Sequence, residues 1–168
     1  LEANSVDCIV TAPPYGCGKA EWDVTFPTEW YQHARNIAPR VCIITGSCGV
    51  KDSLPMVGSD FLDIIAAWNL NSRTRGRIGF SNWLACVVAG TKPRQGTNFF
   101  EFSVRGDMPD HPSPKPIEYM LKLVARVTDD GDSVIDPFAG SGTTGVACVK
   151  LGRSFIGVEI EEKYVEIA

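Results

Sequence analysis

Two short stretches combine residue types that could hold a ligand and do chemistry. The first, at 140–145, has the spacing Gly-x-Gly-x-x-Gly, and Glu159 follows it. Glycines let a backbone turn tightly beside a ligand, and a later acid can accept hydrogen bonds from ribose hydroxyls. The spacing alone predicts a nucleotide-type site, and it suits a nicotinamide dinucleotide as readily as S-adenosylmethionine.

Asp136 discriminates between those two ligands. It ends a predicted strand just before the glycines, where a dinucleotide would place its pyrophosphate near a helix N-terminus. A carboxylate there repels phosphate but attracts a cationic amino-acid end. Pro137 and Phe138 also delay the turn, and the Gly-Lys-Ser/Thr ending of a P-loop is missing. These residues favour S-adenosylmethionine, with a nicotinamide enzyme left as an alternative.

The second stretch reads Thr11-Ala12-Pro13-Pro14-Tyr15 and follows a short β-rich run. Paired prolines fix the backbone and leave carbonyl groups free of local ladder bonds, while Tyr15 can stack on a flat ring. In open α/β sheets, ligands bind at the carboxyl ends of the strands. We therefore expect this turn and the glycine-rich turn to face one pocket.

The surrounding pattern must supply the elements that bring these turns together. We predict strands at 6–11, 41–45, 61–68, 83–88, 133–135 and 155–158, and helices from about 27 to 38, at 117–127, at 143–151 and from 161 onward. Residues 95–116 hold few apolar residues and many breakers, which predicts a surface connection. The alternation predicts an α/β domain with a mostly parallel sheet and helices on both faces.

Composition bounds the class of protein. The 168 residues are 44% apolar, which suits one compact domain over 1–168. The six cysteines stand singly, which predicts reduced thiols and no metal site. We find no run long enough for a membrane span and no signal peptide, and we expect a cytoplasmic protein. Because the chain opens at Leu1 without Met and stops inside a helical pattern at Ala168, we also expect trimmed ends.

Charge is distributed unevenly along the chain. The net charge of −4 argues weakly against nucleic acid, since phosphate binding needs local positive potential. One basic stretch could override that total, although a solvated loop explains it equally well. Its candidate strand-binding residues are Arg73, Arg75 and Arg77, with Lys92 and Arg94 close behind and Phe80 and Trp83 available to stack.

Three motifs resemble those of the β-class DNA amino-methyltransferases, which use S-adenosylmethionine to methylate adenine N6 or cytosine N4. Residues 136–144 resemble the cofactor motif, and 157–160 with Tyr164 resemble the segment that supplies the ribose-binding acid. Residues 111–116 (His-Pro-Ser-Pro-Lys-Pro) resemble the element that precedes the cofactor strand. The Pro-Pro-Tyr element comes before the glycine turn, which is the permuted order of this class. The resemblance runs from about Val6 to Ala168 and implies a three-layer, Rossmann-like methyltransferase fold.

The resemblance also implies roles for the matching residues. In the family the exocyclic amine of a flipped-out base donates hydrogen bonds to the side chain of an Asp, Asn or Ser and to the carbonyl of the proline after it. Direct in-line methyl transfer then needs no covalent intermediate. The implied catalytic positions are Ala12, Pro13, Pro14 and Tyr15. The implied cofactor contacts are Thr11, Ser113, Lys115, Asp136, Phe138, Gly140, Ser141, Gly142, Thr143, Thr144 and Glu159, without a metal.

Position 12 departs from the family pattern. Ala12 offers no acceptor, and a hydrogen bond to a charged group contributes about 1.5–3 kcal/mol. Transfer should therefore be slower by at least ~10-fold to 10²-fold. An engineered Asp→Ala change explains the intact neighbouring motifs better than natural drift to a non-catalytic binding module, which stays an alternative. Tyr15-Gly16 resembles adenine-N6 enzymes slightly more than cytosine-N4 enzymes.

The implied partner is DNA, in a bacterial, archaeal or phage restriction-modification context. We find no segment long enough for a separate target-recognition domain. Specificity is then short, relaxed or supplied by a second chain. A homodimer is one assembly left open, and no membrane partner is expected.

Overall fold

A computed structural model describes residues 1–18, 20–72, 82–104 and 113–168. Within this part the chain forms seven strands and five α-helices. The strands are β1 (Cys8–Thr11), β2 (Arg40–Thr45), β3 (Phe61–Asn69), β4 (Trp83–Gly90), β5 (Phe99–Phe102), β6 (Ser133–Asp136) and β7 (Ser154–Gly157). The helices are α1 (Trp30–Ile37), α2 (Ser47–Val57), α3 (Ile117–Val127), α4 (Thr143–Lys150) and α5 (Glu162–Val165). None of the described helices has the length and apolar character needed to cross a membrane.

The strands form one sheet in the order β5-β3-β4-β2-β1-β6-β7. β1 pairs in parallel with β2 and β6, β6 with β7, and β3 with β5. β4 runs antiparallel to both of its neighbours, β2 and β3. The other six described strands therefore point the same way, and their carboxyl ends share one edge of the sheet, called here the carboxyl rim. The opposite edge is called the amino rim.

Side chains alternate between two apolar cores because successive residues of a strand face opposite sides. Cys8 and Val10 of β1 lie in one core with α3 and α4, while Ile9 lies in the other core with α1 and α2. The sheet is thus covered by helices on both faces. The predicted α/β, three-layer, Rossmann-like fold is confirmed.

Agreement is best where a periodic pattern is long. The predicted helix 117–127 matches α3 residue for residue. The prediction of a surface connection over 95–116 is wrong at β5, a short edge strand at Phe99–Phe102 that pairs only with β3 among the described strands. Helix α2 was not predicted, since Gly49 and Pro55 inside it weaken its helical pattern.

The cysteines divide into two groups. Cys8, Cys42, Cys86 and Cys148 are free and buried, as the prediction of core thiols requires. Cys17 and Cys48 form a disulfide, so the prediction of reduced thiols is wrong for this pair. The physical reason is position, because the two residues follow the neighbouring parallel strands β1 and β2 at the carboxyl rim.

Candidate active site at the carboxyl rim

A buried carboxylate joins the two candidate motifs. Asp136 ends β6 and is 2% exposed. Its Oδ1 accepts hydrogen bonds from the Thr11 hydroxyl at 2.6 Å and from the Phe138 N–H at 3.0 Å. Its Oδ2 accepts one from the Thr144 hydroxyl at 2.7 Å. One side chain therefore links the end of β1, the glycine turn and the first turn of α4.

The surroundings of Asp136 oppose its ionisation. Burial raises the pKa of this carboxyl above its ordinary value, while hydrogen bonds from Thr11, Thr144 and Phe138 and the charge of Lys115 work in the other direction. A buried carboxylate that accepts three hydrogen bonds is held in a single place. Asp136 is therefore a rigid joint between the motifs at the rim.

The glycine turn has the conformation that its sequence requires. Gly140 and Gly142 have φ angles of 53° and 70°, in the left-handed region that favours glycine. Gly145 allows α4 to pack on β7, since a Cβ atom there would lie 2.7 Å from the Phe155 ring. Between them the hydroxyls of Ser141 and Thr143 lie 3.1 Å apart. The turn thus presents hydroxyl groups and main-chain N–H groups beside the N-terminus of α4.

The predicted ribose acid lies next to this turn. Glu159 follows β7 and is half-buried. Its Oε2 accepts the N–H of Gly140 at 2.7 Å, and its Oε1 accepts the N–H groups of Ile160 and Glu161 at 2.8 and 2.9 Å. The structure therefore brings Glu159 and the glycine turn together.

The Pro-Pro-Tyr turn reaches the same rim. Tyr15 is 8% exposed, and the ammonium Nζ of Lys115 lies 5.1 Å from the centroid of its ring. Lys115 also donates to the Ser113 carbonyl at 3.0 Å and acts electrostatically on Asp136. The two motifs meet on one side of the sheet edge, as predicted. One face of the Tyr15 ring is occupied by the ammonium group, which the stacking prediction did not include.

The hydroxyl end of Tyr15 points inward. The Tyr15 and Tyr119 hydroxyls are both buried, with no hydrogen-bond partner in the described structure. Burial raises the pKa of both phenols well above the ordinary range, and Tyr15 and Cys86 add to the effect at Tyr119. Both phenols therefore stay neutral, and Tyr15 acts as a packed wall of the site.

Asp23 is a residue that the sequence analysis missed. Its carboxylate is 2% exposed and accepts the N–H groups of Tyr15, Gly16 and Cys17 at 2.6, 2.9 and 3.3 Å. The stretch after Tyr15 looked irregular because glycines and prolines interrupt it. An acid just after a glycine-rich turn, able to bond back to its N–H groups, was the available signal.

Of the predicted basic residues, the structure describes Lys92 and Arg94. Arg73, Arg75, Arg77 and Phe80 lie outside the described residues, as do His111 and Pro112. Trp83 pairs with Trp68 at the carboxyl rim. Lys92 and Arg94, however, follow the antiparallel β4 at the amino rim, and Arg94 forms an ion pair with Asp129 at 2.8 Å. Grouping these two residues with the arginine stretch was wrong because β4 reverses the chain direction.

Similarity to known proteins narrows the chemistry. A family model described as DNA methylase, acting at N6 or N4, matches residues 64–168, more than half of the chain. The chain belongs to the N6/N4 DNA methylase family. The chain is 51% identical over 59 residues to the type II methyltransferase M2.DpnII of Streptococcus pneumoniae, a match that covers 34% of the chain and 22% of that protein. It therefore spans much less than the full length of this relative.

Three further comparisons extend over all or nearly all of the chain. It is 27% identical to the type II methyltransferase M.HpaI of Haemophilus parainfluenzae over 215 aligned residues, which cover 100% of the chain and 68% of the relative. A crystal structure of an M1.HpyAVI–SAM complex matches with a TM-score of 0.74 and 25% identity, over 98% of the chain and 87% of that structure. The cytosine-N4-specific PvuII methyltransferase matches with a TM-score of 0.76 at 14% identity, over 98% and 78%, and supports the fold alone.

Family membership decides against the nicotinamide alternative. Ala12 is half-buried between Thr11, which is bonded to Asp136, and the buried Pro13. Its methyl group packs against the apolar core. No group of acids, cysteines and histidines suited to a metal occurs among the described residues. The site can thus hold a polar ligand at the glycine turn and a flat ring near Tyr15.

Proposed function

We propose that the protein transfers a methyl group from S-adenosylmethionine to an exocyclic base amine in DNA, with adenine N6 as the target and cytosine N4 as the alternative. The observation that carries the proposal is the Asp136 joint. By bonding Thr11 and Thr144 at 2.6 and 2.7 Å, it holds the Pro-Pro-Tyr turn beside the glycine turn. A methyl donor and a base amine held at these two turns would be neighbours, and proximity is a large part of catalysis.

The donor groups fit this cofactor better than a dinucleotide. Glu159 offers a half-buried carboxylate next to Gly140, which suits ribose hydroxyls. Asp136, with Lys115 nearby, suits a zwitterionic amino-acid end, whereas a pyrophosphate would meet a carboxyl group whose oxygens already act as acceptors. The M1.HpyAVI relative was crystallised with SAM, which supports the same assignment. Ser113, Phe138, Ser141, Gly142 and Thr143 complete the proposed cofactor contacts.

When bound, the cofactor supplies an electrophilic methyl group. The chain itself positions the amine. Pro13 and Pro14 restrict the backbone so that the Pro13 carbonyl can accept a hydrogen bond from the amine, while Tyr15 forms a wall for the ring. Ala12 supplies no second acceptor, so positive charge that develops on the amine has one partner fewer. We expect a slow or inactive methyltransferase.

The remaining assignments belong to the same proposal. The order of the two turns along the chain is that of the permuted β class. Arg73, Arg75 and Arg77 are proposed to contact the DNA backbone, because their segment leaves β3 and enters β4 at the carboxyl rim. Recognition is proposed to be short, relaxed or aided by a second chain, which includes a homodimer.

The experiment is the Ala12→Asp substitution. Both forms are incubated with S-adenosylmethionine carrying a labelled methyl group and DNA of mixed sequence, and the DNA is digested to nucleosides. We expect Ala12→Asp to raise the rate by ~10-fold or more, since it restores a hydrogen bond to a charged group, and N6-methyl-2′-deoxyadenosine to carry the label. Label on N4-methyl-2′-deoxycytidine supports the alternative target.

A matched control separates binding from chemistry. Calorimetry measures cofactor affinity in both forms, and it should be similar because Ala12 lies outside the glycine turn. The non-catalytic alternative rests on the apolar packing of Ala12 against the core. It predicts cofactor binding by Ala12→Asp without any methyl transfer. Absence of cofactor binding in both forms contradicts the proposed function itself.

A further inference from the structure

The loop after the Pro-Pro-Tyr turn closes around one buried carboxylate. Asp23 accepts main-chain N–H groups from Tyr15, Gly16 and Cys17 at 2.6, 2.9 and 3.3 Å. Its own carbonyl accepts the N–H of Gly18 at 2.8 Å, and Gly16 and Gly18 have φ angles of 66° and 69°. Successive N–H groups directed at one point form an anion-binding concavity. Here a side chain of the same loop fills it.

Asp23 bonds the turn at the first residue after Ala12 that has a main-chain N–H to donate. Pro13 and Pro14 have no N–H, so the Tyr15 N–H is the first main-chain donor after Ala12. That N–H makes the shortest of the three bonds to Asp23. The carboxylate therefore holds the end of the turn, while Asp136 holds its beginning through Thr11.

The position of the Tyr15 ring depends on the hydrogen bond between its main-chain N–H and Asp23. The Tyr15 ring packs inward with its hydroxyl buried, and the Lys115 ammonium lies over one face. A shift of the Tyr15 backbone would move the ring and the preceding proline carbonyls together. A displacement of about 1 Å in a reacting geometry can lower the rate ~100-fold.

We infer that Asp23 is a positioning residue, which holds the Pro-Pro-Tyr turn so that Tyr15 and the proline carbonyl meet the base amine correctly. The inference depends on the proposed function for the nature of the ligand. The claim that Asp23 holds the turn depends only on its hydrogen bonds to Tyr15, Gly16 and Cys17. The described hydrogen bonds of Asp23 hold the Pro-Pro-Tyr turn and its own loop, so its effect should fall on transfer more than on cofactor binding.

The first arm uses hydrogen exchange on the chain as it exists. Asp23→Asn keeps the side-chain shape but removes the charge and one acceptor. We expect faster exchange of the 15–17 amides by ~10-fold or more, with the 140–145 turn unchanged, because only the local opening becomes easier. Asp7→Asn is the matched control, since Asp7 bonds Ser133 at the amino rim. It should leave 15–17 unchanged.

The second arm adds Asp23→Asn to Ala12→Asp and measures kcat, KM for DNA and cofactor affinity. We expect a kcat lower by ~10-fold to 100-fold, with cofactor affinity within about twofold. Asp23→Glu, which keeps the charge but displaces the turn, should also lower kcat and carries the test if Asp23→Asn does not fold. Unchanged exchange at 15–17 overturns the inference. A lower thermal midpoint together with cofactor affinity and kcat that fall by the same factor also overturns it. An inactive Ala12→Asp enzyme counts against the proposed function, and the exchange arm still decides whether Asp23 holds the turn.

Discussion

The adjacent strands β1 and β6 are joined at each end by a hydrogen bond between an aspartate and a hydroxyl group, yet these two ties differ in their exposure to solvent. At the amino rim, Asp7 is exposed and accepts the Ser133 hydroxyl at 2.6 Å. At the carboxyl rim, Asp136 is buried and accepts the Thr11 hydroxyl at the same distance. Hydrogen bonds from Ser133 lower the pKa of Asp7, whereas burial raises that of Asp136.

The difference shows what the candidate site requires. An exposed carboxylate can exchange its hydrogen bonds for water at little cost, so the Asp7 tie is an ordinary surface contact. A buried carboxylate must be kept satisfied by partners in fixed positions, which makes the Asp136 joint rigid. Titratable groups with pKa values shifted by burial are common at functional sites. The contrast can be tested at both ends of the same strand pair.

The largest effect is expected from Asp136→Ala compared with Asp7→Ala. Removing Asp136 leaves buried donors from Thr11, Thr144 and Phe138 without their acceptor, which should lower the free energy of unfolding by about 2–4 kcal/mol. Asp7→Ala should cost less than about 1 kcal/mol, because water replaces an exposed partner. Urea unfolding measures both. Equal losses would mean that burial does not distinguish the two ties.

The second effect compares the arginine stretch, proposed to contact DNA, with two basic residues at the amino rim. Changing Arg73, Arg75 and Arg77 together to Ala should weaken DNA binding and reduce the slope of log affinity against log salt by up to about 3, since each phosphate contact releases a counterion. The matched variant changes Lys92 and Arg94, which lie at the amino rim. It should leave the slope unchanged. A smaller slope in the Lys92 and Arg94 variant would assign DNA to the amino rim. An unchanged slope in the arginine variant would remove the arginine stretch from the interface.

The smallest effect is a difference in pH dependence. The raised pKa of Asp136 means that the folded state keeps its proton better, so its stabilising contribution is full below the unfolded pKa near 3.8 and lost as pH rises through the folded pKa. The lowered pKa of Asp7 gives the reverse: its contribution is present above 3.8 and lost as pH falls through the folded value.

Unfolding of Asp136→Asn, Asp7→Asn and the unsubstituted chain between about pH 3 and 7 tests these signs. The stability lost through Asp136→Asn should increase as the pH falls. The stability lost through Asp7→Asn should increase as the pH rises. Curves of the same sign for the two variants would contradict the contrast in burial.

The sequence was sufficient for the parts of the molecule that depend on local pattern. Helix α3 follows from apolar spacing, and the positive φ angles of Gly140 and Gly142 follow from the need for glycine in a tight turn. The meeting of Thr11 with Asp136 follows from a general rule, since parallel strands bring their carboxyl ends to one edge.

The remaining features depend on pairings distant in sequence. Strand β5 depends on its pairing with β3 and on the packing of Phe102 against Tyr119, and four residues carry too little pattern to reveal those contacts. The wrong placement of Lys92 and Arg94 came from an unrecognised reversal at β4. Asp23 was missed because its role depends on the directions of three N–H groups, which residue types alone do not encode.

The reversed direction of β4 has a consequence for how such a protein can vary. The connection that enters β4 starts and ends at the carboxyl rim, where β3 ends and β4 begins, and the connection that leaves β4 starts at the amino rim. Doubling the length of a flexible connection costs only about 0.6 kcal/mol in closure entropy. Insertions between β3 and β4 would therefore change the surface at the carboxyl rim while every strand pairing is kept. Insertions of the same size after β4 would alter only the far side of the molecule.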